Sequence, residues 1–231
     1  MPNFLSYKIR EACREPGCPI CRLEQHSVER HLDHQFYESV NSPAWRDRLR
    51  ASHGFCHEHA WLGVNRRLGD ALGYSIIYHD LVNSLFNALN RDFPNERGSR
   101  RGTALRKRVQ SVLEALKPRK RCPACEHREE QTRSLLSALA EELGTPEIVE
   151  ALRASDGLCL PHLRLALGFV KEDTSYETLL TLARAKLESL RSELSEFIRK
   201  NDYQVIEEGF GTEGDAWLRA ISLVVSNRKE R

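Results

Sequence analysis

Two short motifs occur twice in this chain, in the same order and at nearly the same spacing, and no other feature constrains it as tightly. Cys18-Pro19-Ile20-Cys21 returns as Cys122-Pro123-Ala124-Cys125. Leu49 to His59 reads LRASHGFCHEH and Leu152 to His162 reads LRASDGLCLPH, identical at seven of eleven positions. The gap from Cys21 to Cys56 is 35 positions, and from Cys125 to Cys159 it is 34. Self-similarity in register marks a tandem duplication. It predicts a first metal-binding repeat over 1–96, a basic linker helix over 97–121, and a second repeat over 122–231 that carries a C-terminal helix.

Between the motifs the periodicity is helical. Leu135, Leu136, Leu139 and Leu143 form a stripe after Cys125, with Gly144 placed to stop the helix. Thr145-Pro146 opens a short helix ending at Asp156-Gly157, and Thr174 with Glu177 reads as a capping box for a long helix to about Lys200. In the first half, helices are expected near 19–40, 44–52, 56–68 and 70–92. No convincing period-2 strand is present, so the expected fold is all-α, a duplicated helical repeat with each half stapled by its own Cys3His site.

The chemistry follows from the residue types. Two ligands separated by two residues can aim at one ion, and the Pro after Cys18 and Cys122 stiffens that turn and suits the first turn of a helix. The positive end of that helix favours thiolate over thiol. Three thiolates and a neutral imidazole match a closed, tetrahedral, structural zinc site. The expected ligands are Cys18, Cys21, Cys56 and His59 in one half, and Cys122, Cys125, Cys159 and His162 in the other. A helix of about 20 residues runs roughly 30 Å out, and the residues before Cys56 can span that distance back, so pairing within each half is geometrically open. Pairing between halves is open too. Two Zn2+ ions are the expected cofactors, with an iron–sulfur cluster as the alternative. Such sites contribute about 10–16 kcal/mol of apparent binding energy to folding. Arg22, Arg50 and Arg153 are candidates to offset the net negative charge.

Other residues read more plainly. His57 could replace His59, but its counterpart is Leu160. Cys13 has no counterpart and reads as a packed helix residue, with a resolving thiol the other reading. His26, His31, His34 and His127 are expected on helix surfaces near the motifs, and His79 as a satisfied, partly buried side chain.

Several function classes find no support. There is no HExxH, P-loop, GxGxxG or GxSxG, and no Glu followed three residues later by His as a di-iron bundle would need. Four protein ligands per ion leave no open position for catalysis, so enzymatic activity is not indicated. No apolar stretch is long enough to span a membrane, and the charged N-terminus does not read as a signal peptide. The expectation is therefore a cytoplasmic protein with no membrane partner. Seven cysteines in a reducing compartment suit metal better than disulfides.

The net charge of +2 is small but unevenly placed. From Arg97 to Arg121 there are ten Lys or Arg and one acidic residue, Glu114. Leu105, Val109, Val112, Leu113 and Leu116 share a face there, expected to pack as a linker helix. Arg101, Arg106, Lys107 and Arg108 are the possible phosphate-binding residues, for nucleic acid or another anionic surface. No aromatic residues are interleaved with them for base stacking. Near the C-terminus, Asp215 or Thr212 could cap a last helix whose Trp217, Ile221, Val224 and Val225 dock on the core or face a partner.

The duplicated pattern, CPxC followed by GFCxxHA in the first half and GLCLPH in the second, resembles a family of bacterial proteins known only as a domain of unknown function. The likeness covers nearly the whole chain and implies no activity. Leu158 and Leu163 stand where the first half has Phe55 and Ala60. The function expected is that of a zinc-stabilised helical binding or scaffold protein with an unknown protein partner. The alternatives are a redox-sensing zinc or iron–sulfur protein, or a nucleic-acid-associated protein acting through 97–121.

Overall fold

The computed structural model describes residues 4–91, 102–202 and 206–227. The regular structure among those residues is all helical, with no strand. Eleven α-helices follow in order: α1 (Phe4–Ala12), α2 (Pro19–Tyr37), α3 (Pro43–Ser52), α4 (His57–Asn65), α5 (Ala71–Arg91), α6 (Gly102–Ala115), α7 (Pro123–Glu142), α8 (Pro146–Ala154), α9 (Leu160–Leu167), α10 (Asp173–Lys200) and α11 (Ala216–Val225). The duplication is visible in the element order, since α2–α3–α4–α5 and α7–α8–α9–α10 carry the matching motifs at matching joints.

The start signals work as the residue types dictate. Ser42 caps α3, accepting from the Trp45 amide, with Pro43 in the first turn. Glycine is required at Gly54 and Gly157, where φ is +86° and +79°, because the chain must turn sharply into Cys56 and Cys159. The capping box predicted at Thr174 does not form. The N-cap of α10 is Glu172, and Thr178 donates its hydroxyl back to the Thr174 carbonyl inside the helix.

The chain folds as two compact units, and they are not the two sequence repeats. One unit holds the residues up to Ser27 together with those from Glu130 onward; the other is Val28–Glu129. The boundaries fall inside α2 and α7. The reason lies in the apolar faces. Val28, Leu32 and Phe36 along the later part of α2, with Val40 just beyond its end, bury Trp45 and Leu49 of α3, with Phe55 and Ile77. Likewise Leu135, Leu136 and Leu139 of α7, with Leu143 just after it, bury Ile148 and Leu152 of α8, with Leu158 and Cys159. Each GxCxxH motif is thus held by the later turns of its own repeat's long helix, while the CPxC end of that helix belongs to the other unit.

Cys13 is packed as expected, one residue past the end of α1, and burial raises its thiol pKa to about 11, against a lowering hydrogen bond from Ser155. Two other expectations about packing change. His79 is exposed on α5 beside Asn83 rather than partly buried. On α11 only Ala216 is buried; Trp217, Ile221, Val224 and Val225 remain about half exposed.

Candidate metal centres

All eight sequence-predicted ligands come together, but in the crossed pairing. Cys18 and Cys21 meet Cys159 and His162, and Cys56 and His59 meet Cys122 and Cys125. The expected pairing within each half is overturned, because the packing of α3 on α2 and of α8 on α7 carries each GxCxxH away from its own repeat's CPxC. The metal groups therefore join the repeats instead of stapling each one separately.

Every ligand pair occupies the same two positions of a helix. Cys18, Cys56, Cys122 and Cys159 each sit just before a first turn, and their carbonyls accept from the amides of Arg22, Ala60, Glu126 and Leu163. Their partners Cys21, His59, Cys125 and His162 stand three residues on, at the third helical position. These two positions bring side chains together in any capping box, so a ligand at each forms a chelate. Cys56 and Cys159 adopt nearly the same backbone, φ −65° with ψ 166° and 156°. Each centre thus receives two helix N-termini, whose positive ends favour thiolate.

The distances fit a single tetrahedral ion. Metal–sulfur bonds of about 2.3 Å and metal–nitrogen bonds of about 2.0–2.1 Å would set S···S edges near roughly 3.8 Å and S···N edges near roughly 3.6 Å. In the first centre Cys21 Sγ lies 3.6 Å from Cys159 Sγ, and His162 Nδ1 lies 3.5, 3.4 and 3.2 Å from the sulfurs of Cys18, Cys21 and Cys159. In the second, Cys56 Sγ lies 3.7 Å from Cys125 Sγ, and His59 Nδ1 lies 3.2, 3.6 and 3.4 Å from the sulfurs of Cys56, Cys122 and Cys125. In each group all four ligand atoms lie within 4.8 Å of one another. His57 takes no part; it is exposed, with its ring near Trp61.

Thiols this close resist ionising without a cation. Burial raises Cys18, as do Cys159 and Cys21 beside it. Burial with Cys122 and Cys56 pushes Cys125 up to about 12. Burial also raises Cys122, although backbone hydrogen bonds from Cys56 and Cys125 work against it. Cys159 is lowered instead, by hydrogen bonds with Cys18 and Cys21 and then by His162. For His162, burial disfavours the charged ring, yet Cys159, Cys21 and Glu24 outweigh it and raise the pKa to about 12. A divalent cation bound among these groups would displace their protons and stabilise the thiolates.

The other ring nitrogen reveals residues that the repeat did not. His162 Nε2 lies 3.2 Å from a Glu24 oxygen, and Glu24 also accepts a short hydrogen bond from Thr132. His59 Nε2 lies 3.8 Å from Glu58, which pairs with Arg128 at 2.8 Å. A carboxylate at hydrogen-bond distance, as Glu24 is, fixes the tautomer and orientation of a metal-binding imidazole, whereas Glu58 stands beyond that distance from His59. The repeat register aligns Glu24 with Arg128 and Glu58 with Pro161. Neither carboxylate is duplicated, so searching for repeated residues passes over both. The arginines expected to offset charge are engaged elsewhere: Arg50 with Asp47 and Asp80, Arg153 with Glu150, and Arg22 with the Pro16 carbonyl.

A C-terminal lock closes the first centre. Asn227 accepts from the Cys18 amide at 2.9 Å and donates to the Cys18 carbonyl at 3.2 Å, and Ser226 Oγ lies 3.6 Å from Cys159 Sγ. Gly17 makes room for it, since a Cβ there would meet the Asn227 side chain at 2.7 Å. In the second centre the approach to Cys122 is held from α3, where the Ala51 carbonyl accepts from the amides of Arg119 and Lys120.

With the doubled Cys3His geometry established, residues 5–231 match the model of a family of unknown function, DUF6062. The chain belongs to this family. It is similar to "Uncharacterized 23.9 kDa protein in xynA 3'region" of Caldicellulosiruptor sp. (strain Rt8B.4), at 25% identity over 223 residues, covering 94% of this chain and 99% of the relative. No solved structure matches. The family carries no activity to set beside the geometry. Of the predicted phosphate-binding residues, Arg106, Lys107 and Arg108 lie exposed on α6, and Arg101 lies outside the described residues. No helix among the described residues is long and apolar enough to cross a membrane.

Proposed function

We propose that this protein is a zinc-stabilised helical scaffold in which two structural ions tie the repeats together, and that it works in the reducing cytoplasm by presenting a surface to a partner protein. The observation that supports this reading is the ligand geometry: three sulfurs and one nitrogen per group, at the edge lengths of a tetrahedron around one ion. His59 and His162 are 1% and 5% exposed, which suits a closed site rather than one that admits substrate. Zinc fits thiolate and imidazole donors in this geometry. An iron–sulfur cluster fits less well, because several irons would hold the ligands farther apart than one ion does.

Elemental analysis and an absorption spectrum of anaerobically purified protein test the reading. Two zinc ions per chain and no visible absorbance are expected. Iron with a visible band would replace it with an electron-transfer or sensing role, and neither metal would reduce the motifs to packing.

A further inference from the structure

Helix α6 plays no part in the metal centres, and its surface has a distinct chemistry. On a 3.6-residue helix, Leu105, Val109, Val112, Leu113 and Leu116 fall within an arc of roughly 100°. The sequence predicts that this arc is packed away. Instead Leu105 is 63% exposed, Val109 49%, Leu113 56% and Leu116 42%; among the described side chains of that helix only Val112 and Ala115 are partly covered. Arg106 and Arg108 stand at the two edges of the arc, with Lys107 behind. All three are exposed, and none forms an ion pair among the described residues. The acidic Glu114 lies on the far side of the helix, engaged by Gln110 and Lys117. Lys117, Arg119 and Lys120 follow, also exposed.

We propose that α6 is an interfacial anchor that lays this protein on an anionic lipid surface, its aliphatic arc entering the acyl boundary and its arginines meeting the phosphate headgroups. The charge pattern selects this occupant. An apolar arc edged on both sides by cations suits a layer that is greasy below and anionic above, and Arg stems can follow the apolar surface while their heads reach the phosphates. Duplex nucleic acid would engage the cations but leave four exposed aliphatic side chains without a role, and α6 offers no aromatic ring for stacking on a single strand. At 14 residues, α6 is roughly 21 Å long, so it lies in the interface and does not span it. The expectation of no membrane partner rested on the lack of a spanning segment, and interfacial binding needs none.

Vesicle co-sedimentation of the full chain tests the anchor. Pure phosphatidylcholine is compared with phosphatidylcholine containing about a third phosphatidylglycerol, at low salt and at roughly 0.5 M salt. Binding is expected only to the anionic vesicles, weakening as salt rises. Each neutralised cation at the lipid surface should weaken binding about fivefold, so an Arg106→Gln, Arg108→Gln double variant should bind roughly 25-fold less tightly. A Val109→Glu, Leu113→Glu variant should lose binding, while circular dichroism and metal content stay at wild-type values because both sites are exposed. A milder Val109→Ser, with intermediate loss, guards against misfolding of the double variant. No preference for anionic vesicles would overturn the proposal. So would duplex oligonucleotide binding that Val109→Glu, Leu113→Glu leaves intact, which would assign the cations to nucleic acid. A dimer in solution that the same substitution dissolves would assign the arc to a second copy of this chain, with the same consequence.

Discussion

The two metal centres are built from the same four ligand types at the same helix positions, yet they sit in different surroundings. In the first, Cys18, Cys159 and His162 are buried, the imidazole rests against Glu24 at 3.2 Å, and Ser226 and Asn227 close the approach. In the second, both Cys56 and Cys125 are partly open, the imidazole's carboxylate stands off at 3.8 Å, and that carboxylate is shared with Arg128. The Glu24 side chain is 17% exposed and the Glu58 side chain 41%. Duplication preserved the four side chains of each group, whose spacing a single ion would require. It did not preserve the surroundings, which different neighbours supply. The second centre should therefore be the weaker and more reactive of the two.

The largest effects test the crossed pairing itself. Cys18→Ser with Cys159→Ser should remove one ion per chain, because both substitutions fall in one centre. Cys18→Ser with Cys56→Ser should remove both ions and unfold much of the chain, given the energy such sites contribute. Elemental analysis of the purified variants reads this directly. If the first pair cost both ions and the second pair one, pairing within the repeats would be restored.

Next in size are the carboxylates. Glu24→Gln should weaken the first centre's affinity by about 10–100-fold and leave the second untouched. Glu58→Gln should do less to the second, across its longer contact. Competition with a chromophoric chelator would rank them, and equal losses would erase the contrast. A thiol reagent should release the second centre's ion several-fold faster, which a dye reporting free zinc can follow. Asn227→Ala removes two hydrogen bonds from the lock and should cost about 1–2 kcal/mol in thermal unfolding, while sparing the second centre.

The smallest effect concerns the approach to α11. Glu213, held by Lys200 at 2.8 Å and by the Gly211 amide, has its pKa lowered to about 2. A depressed carboxylate stabilises the fold above its ordinary range, and that contribution disappears as pH falls towards 2. Glu213→Gln should therefore be less stable than wild type at neutral pH and converge with it in acid. A constant difference down to about pH 2 would remove the ion pair as its source.

Much of this was legible in the sequence. The helices, their proline starts and the eight residues of the two Cys3His groups follow from spacing, because a pair of such residues at the start of a helix leaves a local signature. The pairing was not legible. It depends on whether Leu49 and Phe55 pack on the later turns of α2, and Leu152 and Leu158 on those of α7, which no local pattern encodes. Glu24 and Glu58 were hidden for the opposite reason: the duplication that revealed the ligands aligns these carboxylates with Arg128 and Pro161. The exposure of α6 was hidden because a stripe at helical spacing looks the same whether a core covers it or not.

The crossed pairing also sets the order in which the chain can be tied. The second centre closes a loop of 63 positions between His59 and Cys122, and it lies wholly inside the loop of 138 positions that the first closes between Cys21 and Cys159. Nested loops can be drawn shut without threading. Once the inner knot is made, the outer one has roughly half as much free chain to gather, which lowers its closure cost by about 0.6 kcal/mol. On a ribosome the inner ligands are complete once Cys125 has emerged. The outer set waits for His162, and its lock for Asn227, further along the chain. The more exposed centre is thus the one that can form first, and the better-protected centre the one that closes after it.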